Sequence, residues 1–239
     1  MKAVRVKEYG GPEAMCYEDI DVPSPGANDV LVKVEAAGIN FIDTYQRSGL
    51  YQIPLPATLG LEAGGIVEEV GSDVSLFKAG DRVAYTNVAG AYAEYASVPE
   101  DKLVALPDGV SFAEGAAAML QGCTAHYLSQ STYKIKSGDS CLIHAAAGGV
   151  GLLLIQMAKM AGASVIGTVS TEEKAELARA AGADEVILYS ETDFETEVKR
   201  ITDGKGVNVA YDSVGKTTFD KSIDCLQRLG YMVLYGNAS

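Results

Sequence analysis

The sequence predicts an α/β protein: a β-rich unit first, then a parallel sheet with helices on both faces. Three observations lead there. Up to about residue 105, stretches such as "DVLVKVEAAGI", "AGGIVEEVG" and "GDRVAYTNVAGAYAEYASVP" set β-branched and alternating positions between breaks at Gly, Pro, Asn and Asp. From residue 141 on, short continuous apolar runs alternate with helical patterns, as strands buried on both faces do. Between the first such run and the first such helix lies "HAAAGGVG" (144–151), a small-residue turn of the kind that lets backbone approach a phosphate.

The elements follow in order. Short strands in the first region read as a barrel-like unit, with "GSDVSLFKAGDRV" placing turn residues on both sides of an apolar patch. The stretch "LPDGVSFAEGAAAMLQGCTAHYLSQ" (106–130) is predicted helical, with Ser111 as N-cap and Glu114 completing a capping box. Strands are then expected at 141–144, 165–169, 185–189, 207–212 and 231–235. Helices are expected between them at 150–161, 172–181, 194–202 and 218–228. This is a Rossmann-type doubly wound sheet with five of its six strands, whose full order is 3-2-1-4-5-6. The expected domains are 1–123 and 124–239. The chain stops after "YMVLYGNAS", so a C-terminal truncation is expected; the alternative is a five-stranded variant whose edge another subunit covers.

Composition bounds the function. Hydrophobic residues make up 48% and charged residues 21%, a soluble globular balance. The net charge of -13 argues against a nucleic-acid surface, which needs clustered Lys and Arg. It does not exclude an anionic ligand held at a helix N-terminus. No apolar run is long enough for a membrane span, and "MKAVRVKEYGG" has no secretory h-region, so the expected location is the cytoplasm. Cys16, Cys123, Cys141 and Cys225 form no CxxC pair, and with two His a structural zinc site is not expected. The cysteines read as reduced thiols.

In the first βα turn of such a sheet, one Gly admits the pyrophosphate and another lets the helix pack on the strand. Gly148 and Gly151 suit those roles, while Ala146 stands at the tight-turn position and is compatible if its φ stays negative. The strand, turn and helix context makes dinucleotide binding the expected function of the turn, against a merely structural role. The second strand ends "IGTVSTEEKAE". Thr168, Ser170 and Thr171 stand where an NAD site usually has a carboxylate, and Lys174 lies one helical turn on. A hydroxyl cluster beside a cation suits a 2′-phosphate and hence NADP. Against that, Glu172 and Glu173 lie close by, although the capping-box spacing of Ser170 and Glu173 explains that Glu as helix chemistry, and Lys174 fits a solvated surface lysine as well.

The segments "GINFIDTYQRSGLY" (38–51), "LGLEAGGIVEEVG" (59–71), "GDRVAY" (80–85), "HAAAGGVG" and "YDSVG" (211–215) resemble the zinc-free quinone oxidoreductases of the medium-chain dehydrogenase/reductase superfamily. The likeness runs the whole chain with the motifs in order. It implies a chaperonin-10-like catalytic domain followed by a Rossmann NADP domain, and a homodimer where the family's C-terminal tail is present. Zinc alcohol dehydrogenases carry ligands where this chain has Asn40, Leu61 and, nearby, Leu120; none of these side chains binds zinc, so metal-free chemistry is expected. The resemblance places Asn40 and Thr124 by the nicotinamide, and Gly148, Gly149 and Val150 on the pyrophosphate. It puts Ser170, Lys174 and Tyr189 around the 2′-phosphate, with Ser213, Gly236 and Asn237 along the cofactor groove.

Without a metal, hydrogen-bond donors must meet the charge that develops on the acceptor. Asn40 and Tyr51 are the candidates, with Tyr45 as a flanking wall and further donor; each tyrosine also reads as a packing residue. Asp43 reads as a structural acceptor, and His126 and His144 as scaffold. The function expected is an NADPH-dependent quinone reductase acting on a small molecule. An enone, alkenal or enoyl-thioester reductase is the enzymatic alternative, and a nucleotide-binding module with little turnover the alternative of another class.

Overall fold

A computed structural model describes residues 1–239. The chain divides into two units, Met1–Leu120 and Gln121–Ser239. The first holds β1 (Lys2–Val6), β2 (Met15–Asp19), β3 (Asp29–Ala37), α1 (Phe41–Ser48), β4 (Ala57–Thr58), β5 (Glu62–Val70), β6 (Arg82–Thr86), β7 (Tyr95–Pro99), β8 (Leu103–Ala105) and α2 (Phe112–Ala117). Its strands pair antiparallel in two sheets, ordered β2-β1-β4 and β7-β3-β5-β6-β8. Val30, Val32, Val67, Val83, Tyr85 and Val98 make the core of the larger sheet. Each fully buried Val of this kind contributes roughly 1.5–3 kcal/mol. Ser111 caps α2: Glu114 N–H donates to Ser111 Oγ at 3.2 Å, and Ser111 N–H to Glu114 Oε2 at 2.8 Å.

The second unit holds α3 (Cys123–Tyr127), β9 (Ser140–Ile143), α4 (Gly149–Met160), β10 (Ser164–Val169), α5 (Glu172–Ala180), β11 (Glu185–Leu188), α6 (Phe194–Ile201), β12 (Val207–Asp212), α7 (Phe219–Asp224) and β13 (Leu226–Leu234). All its strands are parallel, in the order β11-β10-β9-β12-β13. Counted along this unit, that is 3-2-1-4-5 of the doubly wound order. Successive strand residues turn to opposite cores. Cys141 and Ile143 face the core built with Leu154 and Ile155 of α4 and Ala175 and Ala178 of α5. Leu142 faces the core built with Phe194 and Val198 of α6 and Cys225. A sheet buried on both faces explains why its strands read as unbroken apolar runs.

Two expectations are corrected. The helix expected over 218–228 ends at Asp224, and the last strand begins at Leu226 rather than Tyr231. The ladder with β12 steps from Val207↔Leu226 to Val209↔Tyr231, so Gln227–Gly230 form a bulge in which Leu229 takes a left-handed φ of 65°. The helix over 106–130 starts at Phe112, and wide π-type turns at Ala118–Gly122 and Leu128–Thr132 interrupt it. No helix is long and apolar enough to cross a membrane.

Candidate nucleotide and acceptor sites

In the second unit, β9 stops at Ile143 and His144–Ala147 turn into α4, with Gly148 as its N-cap. Ala146 is fully buried, and its N–H donates to Thr168 O at 3.1 Å. The left-handed residue is its neighbour Ala145, φ 49°. Gly151 is there for packing: a Cβ would lie 2.5 Å from Ala145 O and 2.7 Å from Ala146 O. At Gly149 a Cβ would lie 1.8 Å from Gln121 Oε1, whereas at Gly148 it would approach only Ala145 O, at 3.1 Å. Gly148 therefore leaves bare backbone on an open side, directly ahead of the first-turn N–H groups of a twelve-residue helix. That arrangement fits a pyrophosphate. Val150, next in the helix, is half-buried, as is Thr124 on α3.

The end of β10 is less uniform than the sequence suggests. Thr168 is buried and hydrogen-bonded to His144 Nδ1 at 2.9 Å, so it faces the interior. Thr171, not Ser170, caps α5 by accepting from Lys174 N–H, which corrects the Ser170–Glu173 capping box. That frees Ser170 from helix duty, and Lys174 Nζ donates to Ser170 Oγ at 3.3 Å. Glu172, the first carboxylate after the strand, is turned along α5 to Arg179. Tyr189 is exposed beside this pair: its N–H donates to Val169 O, and Ser190 Oγ donates to Ser170 O at 2.9 Å. Ser170 and Lys174 thus meet on the surface, the Tyr189 backbone is bonded to the end of the same strand, and the Glu172 carboxylate is engaged with Arg179.

At the end of β12, buried Asp212 accepts from Val214 N–H, Gly215 N–H and Thr218 Oγ1 at 2.7, 3.0 and 2.8 Å. This folds Ser213 back over the strand end. Ala238 N–H donates to Ser213 O at 3.3 Å, and a Cβ on Gly236 would lie 2.5 Å from the same oxygen. Asn237 packs beside Gly215. Ser213, Gly236 and Asn237 therefore form one cluster beyond the carboxyl ends of β12 and β13, where doubly wound sheets bind ligands.

In the first unit, Asn40 is the N-cap of α1 and nearly buried. Its backbone N–H donates to Asp43 Oδ2 at 2.9 Å, and its Nδ2 to Glu62 Oε1 at 2.8 Å. Asp43 also accepts from Tyr92 Oη at 2.6 Å, the structural role expected of it. Burial raises the carboxyl groups of both Asp43 and Glu62 above their usual range. Tyr45 is buried in α1, Tyr51 is 40% exposed just past it, and their rings lie 5.1 Å apart. Phe41 meets Tyr45 edge-on at 5.5 Å. One helix and its flanks thus carry all three residues assigned to the acceptor. No three His, Cys, Asp or Glu side chains converge as metal ligands would.

Sequence reasoning misses Glu62, Tyr92 and Gln121. Glu62 follows Leu61 in an apolar strand and has no local signal of its own.

The family of alcohol dehydrogenase GroES-like domains matches residues 26–108, and that of zinc-binding dehydrogenases matches residues 149–239. A quinone oxidoreductase of Pseudomonas aeruginosa is 52% identical over 240 residues, covering 100% of this chain and 74% of the relative. A 2-haloacrylate reductase of Burkholderia is 45% identical, covering 99% and 73%. The crystal structure of Escherichia coli quinone oxidoreductase complexed with NADPH superposes with a TM-score of 0.97 at 49% identity, covering 100% of this chain and 73% of that one. With the doubly wound order, the glycine turn and these likenesses along its whole length, the chain belongs to the quinone oxidoreductase family of medium-chain dehydrogenases/reductases.

Proposed function

We propose that the chain is an NADPH-dependent quinone reductase working without a metal. The observation that carries the cofactor choice is the end of β10, where Lys174 meets Ser170 and Glu172 is engaged with Arg179. When bound, NADPH supplies a hydride, or electrons, from its nicotinamide. The chain's residues do the rest. Gly148, Gly149 and Val150 take the pyrophosphate with backbone N–H groups, and Ser170, Lys174 and Tyr189 take the 2′-phosphate. Asn40, Thr124, Ser213, Gly236 and Asn237 orient the nicotinamide end. As the quinone oxygen gains negative charge, Asn40 and Tyr51 donate hydrogen bonds to it, with Tyr45 as wall and further donor. Water or Tyr51 supplies the proton that completes the hydroquinone. A cytoplasmic location and a homodimer in the presence of a longer tail belong to the same reading.

A second reading is a reductase of enones, alkenals or enoyl thioesters, which also present a conjugated carbonyl. The likeness to a 2-haloacrylate reductase favours it.

Parallel titrations with NADPH and NADH, followed by nicotinamide fluorescence, test the cofactor assignment. NADPH is expected to bind roughly tenfold tighter, about 1.4 kcal/mol. Lys174→Ala should remove most of that preference and leave NADH affinity unchanged. Equal affinities in the parent protein would sink the 2′-phosphate pocket. Steady-state rates with a quinone and with an enone then separate the two acceptor readings, and binding without turnover would make the chain a nucleotide-binding module.

A further inference from the structure

Glu62 is wholly buried at the start of β5 and takes part in no salt bridge described for this fold. Its two oxygens each accept from a neutral N–H: Oε1 from Asn40 Nδ2 at 2.8 Å, Oε2 from the Leu120 backbone at 2.6 Å. Burying a carboxylate this way is unfavourable, and a well-packed apolar residue is often no less stable at such a place. Stability alone therefore gives a poor account of the residue.

Its chemistry gives a better one. An ionised carboxylate only accepts, whereas a carboxamide has one accepting and one donating end. Two donors that converge on Glu62 are both satisfied, and the Asn40 amide cannot present its oxygen to Glu62. We propose that Glu62 is the positioning residue that fixes which end of the Asn40 amide is turned inward, and thereby the direction of the amide's second N–H. This rests on the reading of Asn40 as an acceptor contact.

Three features of the first unit suit that role. Gly38 makes the room: a Cβ there would lie 2.0 Å from Glu62 Oε1. Gly38 N–H also donates to Glu62 O at 3.1 Å, which ties the chain leading to Asn40 onto the same residue. Leu120 lies in the wide turn Ala118–Gly122, where the helical amide pattern is broken and an N–H can be diverted to a side chain. Asp43 meanwhile holds the Asn40 backbone N–H. Backbone and side chain of one asparagine are thus each held by a buried carboxylate.

The test uses Glu62→Gln, which keeps the shape and loses the second acceptor. In asparagine-¹⁵N-labelled protein, the Asn40 side-chain NH2 pair, assigned by its loss in Asn40→Asp, should be widely split and slow to exchange in the parent. In Glu62→Gln it should collapse toward ordinary amide positions. The quinone kcat should fall at least about tenfold while the NADPH Kd stays within about twofold. In an Asn40→Ala background the same change should cost less than about twofold in kcat, because the effect runs through Asn40. An unshifted Asn40 resonance, or an undiminished loss in the Asn40→Ala background, overturns the proposal. Parent-like turnover in Asn40→Ala overturns the reading of Asn40, and with it the catalytic consequence of Glu62, while the resonance still decides the amide's orientation. If Glu62→Gln fails to fold, the splitting and exchange rate in the parent protein decide: an unprotected Asn40 amide there overturns the proposal.

Discussion

His144 is neutral in the folded protein, and its partners say which nitrogen holds the proton. Ser222 Oγ donates to Thr218 O at 2.7 Å, so it faces His144 Nε2, 2.8 Å away, with a lone pair. Nε2 therefore carries the hydrogen, and Nδ1 accepts from Thr168 Oγ1. Burial pushes the imidazole pKa down to about 4, against the opposing pull of Asp212. In the unfolded chain the same imidazole takes up a proton near 6.5. The stability tied to this group is thus present above about pH 6.5 and lost as the pH falls through about 4. The full loss is about 3 kcal/mol, of which about 2 kcal/mol is gone at about pH 5. Asp43 and Glu62 act in the other sense, because their raised pKa values make the native state the better proton binder. The clean observable is therefore a difference. Urea unfolding at about pH 7.5 and about pH 5 should show the parent losing about 2 kcal/mol more than His144→Gln. Equal losses would mean that the imidazole is not held neutral.

The glycine turn shows how much of an element its sequence declares. Its place between an apolar strand and a helix is legible from residue order, because the doubly wound fold repeats one local pattern. What each glycine meets is not legible, because the neighbours come from elsewhere: Gln121 for Gly149, the Ala145 and Ala146 carbonyls for Gly151. Glu62 was hidden for the same reason, its partners being 22 and 58 residues away. The misplaced end of α7 has a different cause. Apolar spacing over Cys225–Leu229 suits a helix as well as a bulged strand, and only pairing of Leu226 with Val207 decides it. The structural difference between the two outer glycines separates their functions. Gly151→Ala should cost about 1–3 kcal/mol by overpacking against backbone, read as a fall in Tm. Gly148→Ala would set its Cβ 3.1 Å from Ala145 O, which need give only slightly, and should cost about 1 kcal/mol as a poorer N-cap. It should nonetheless weaken NADPH at least about tenfold, because the methyl group stands where phosphate must approach. A Gly148→Ala protein that binds NADPH normally would move the pyrophosphate elsewhere.

For the whole molecule, charge and sheet edge pull in opposite directions. β13 is bonded on one side only, to β12, and is nine residues long. It exposes Leu229 at 88%, Tyr231 at 53% and Leu234 at 46%. The Gln227–Gly230 bulge that carries Leu229 blunts part of this edge, but beyond it Tyr231–Leu234 leave unpaired backbone groups that are a template for another strand, and Leu234 is not the charged residue that usually blunts one. The net charge of -13 opposes the approach of a second copy. That repulsion is long-ranged in dilute buffer and short-ranged at physiological ionic strength, where the screening length falls to about 8 Å. The attraction needs contact and is little affected by salt. Sedimentation velocity should therefore find this 239-residue chain monomeric at low salt and concentration, with association growing as either rises. Replacing Leu229 and Leu234 by Lys should keep it monomeric throughout and leave NADPH affinity unchanged, since neither residue is assigned to the nucleotide. Association that weakens as salt is added would point to charged contacts instead and would rule the β13 edge out as its cause.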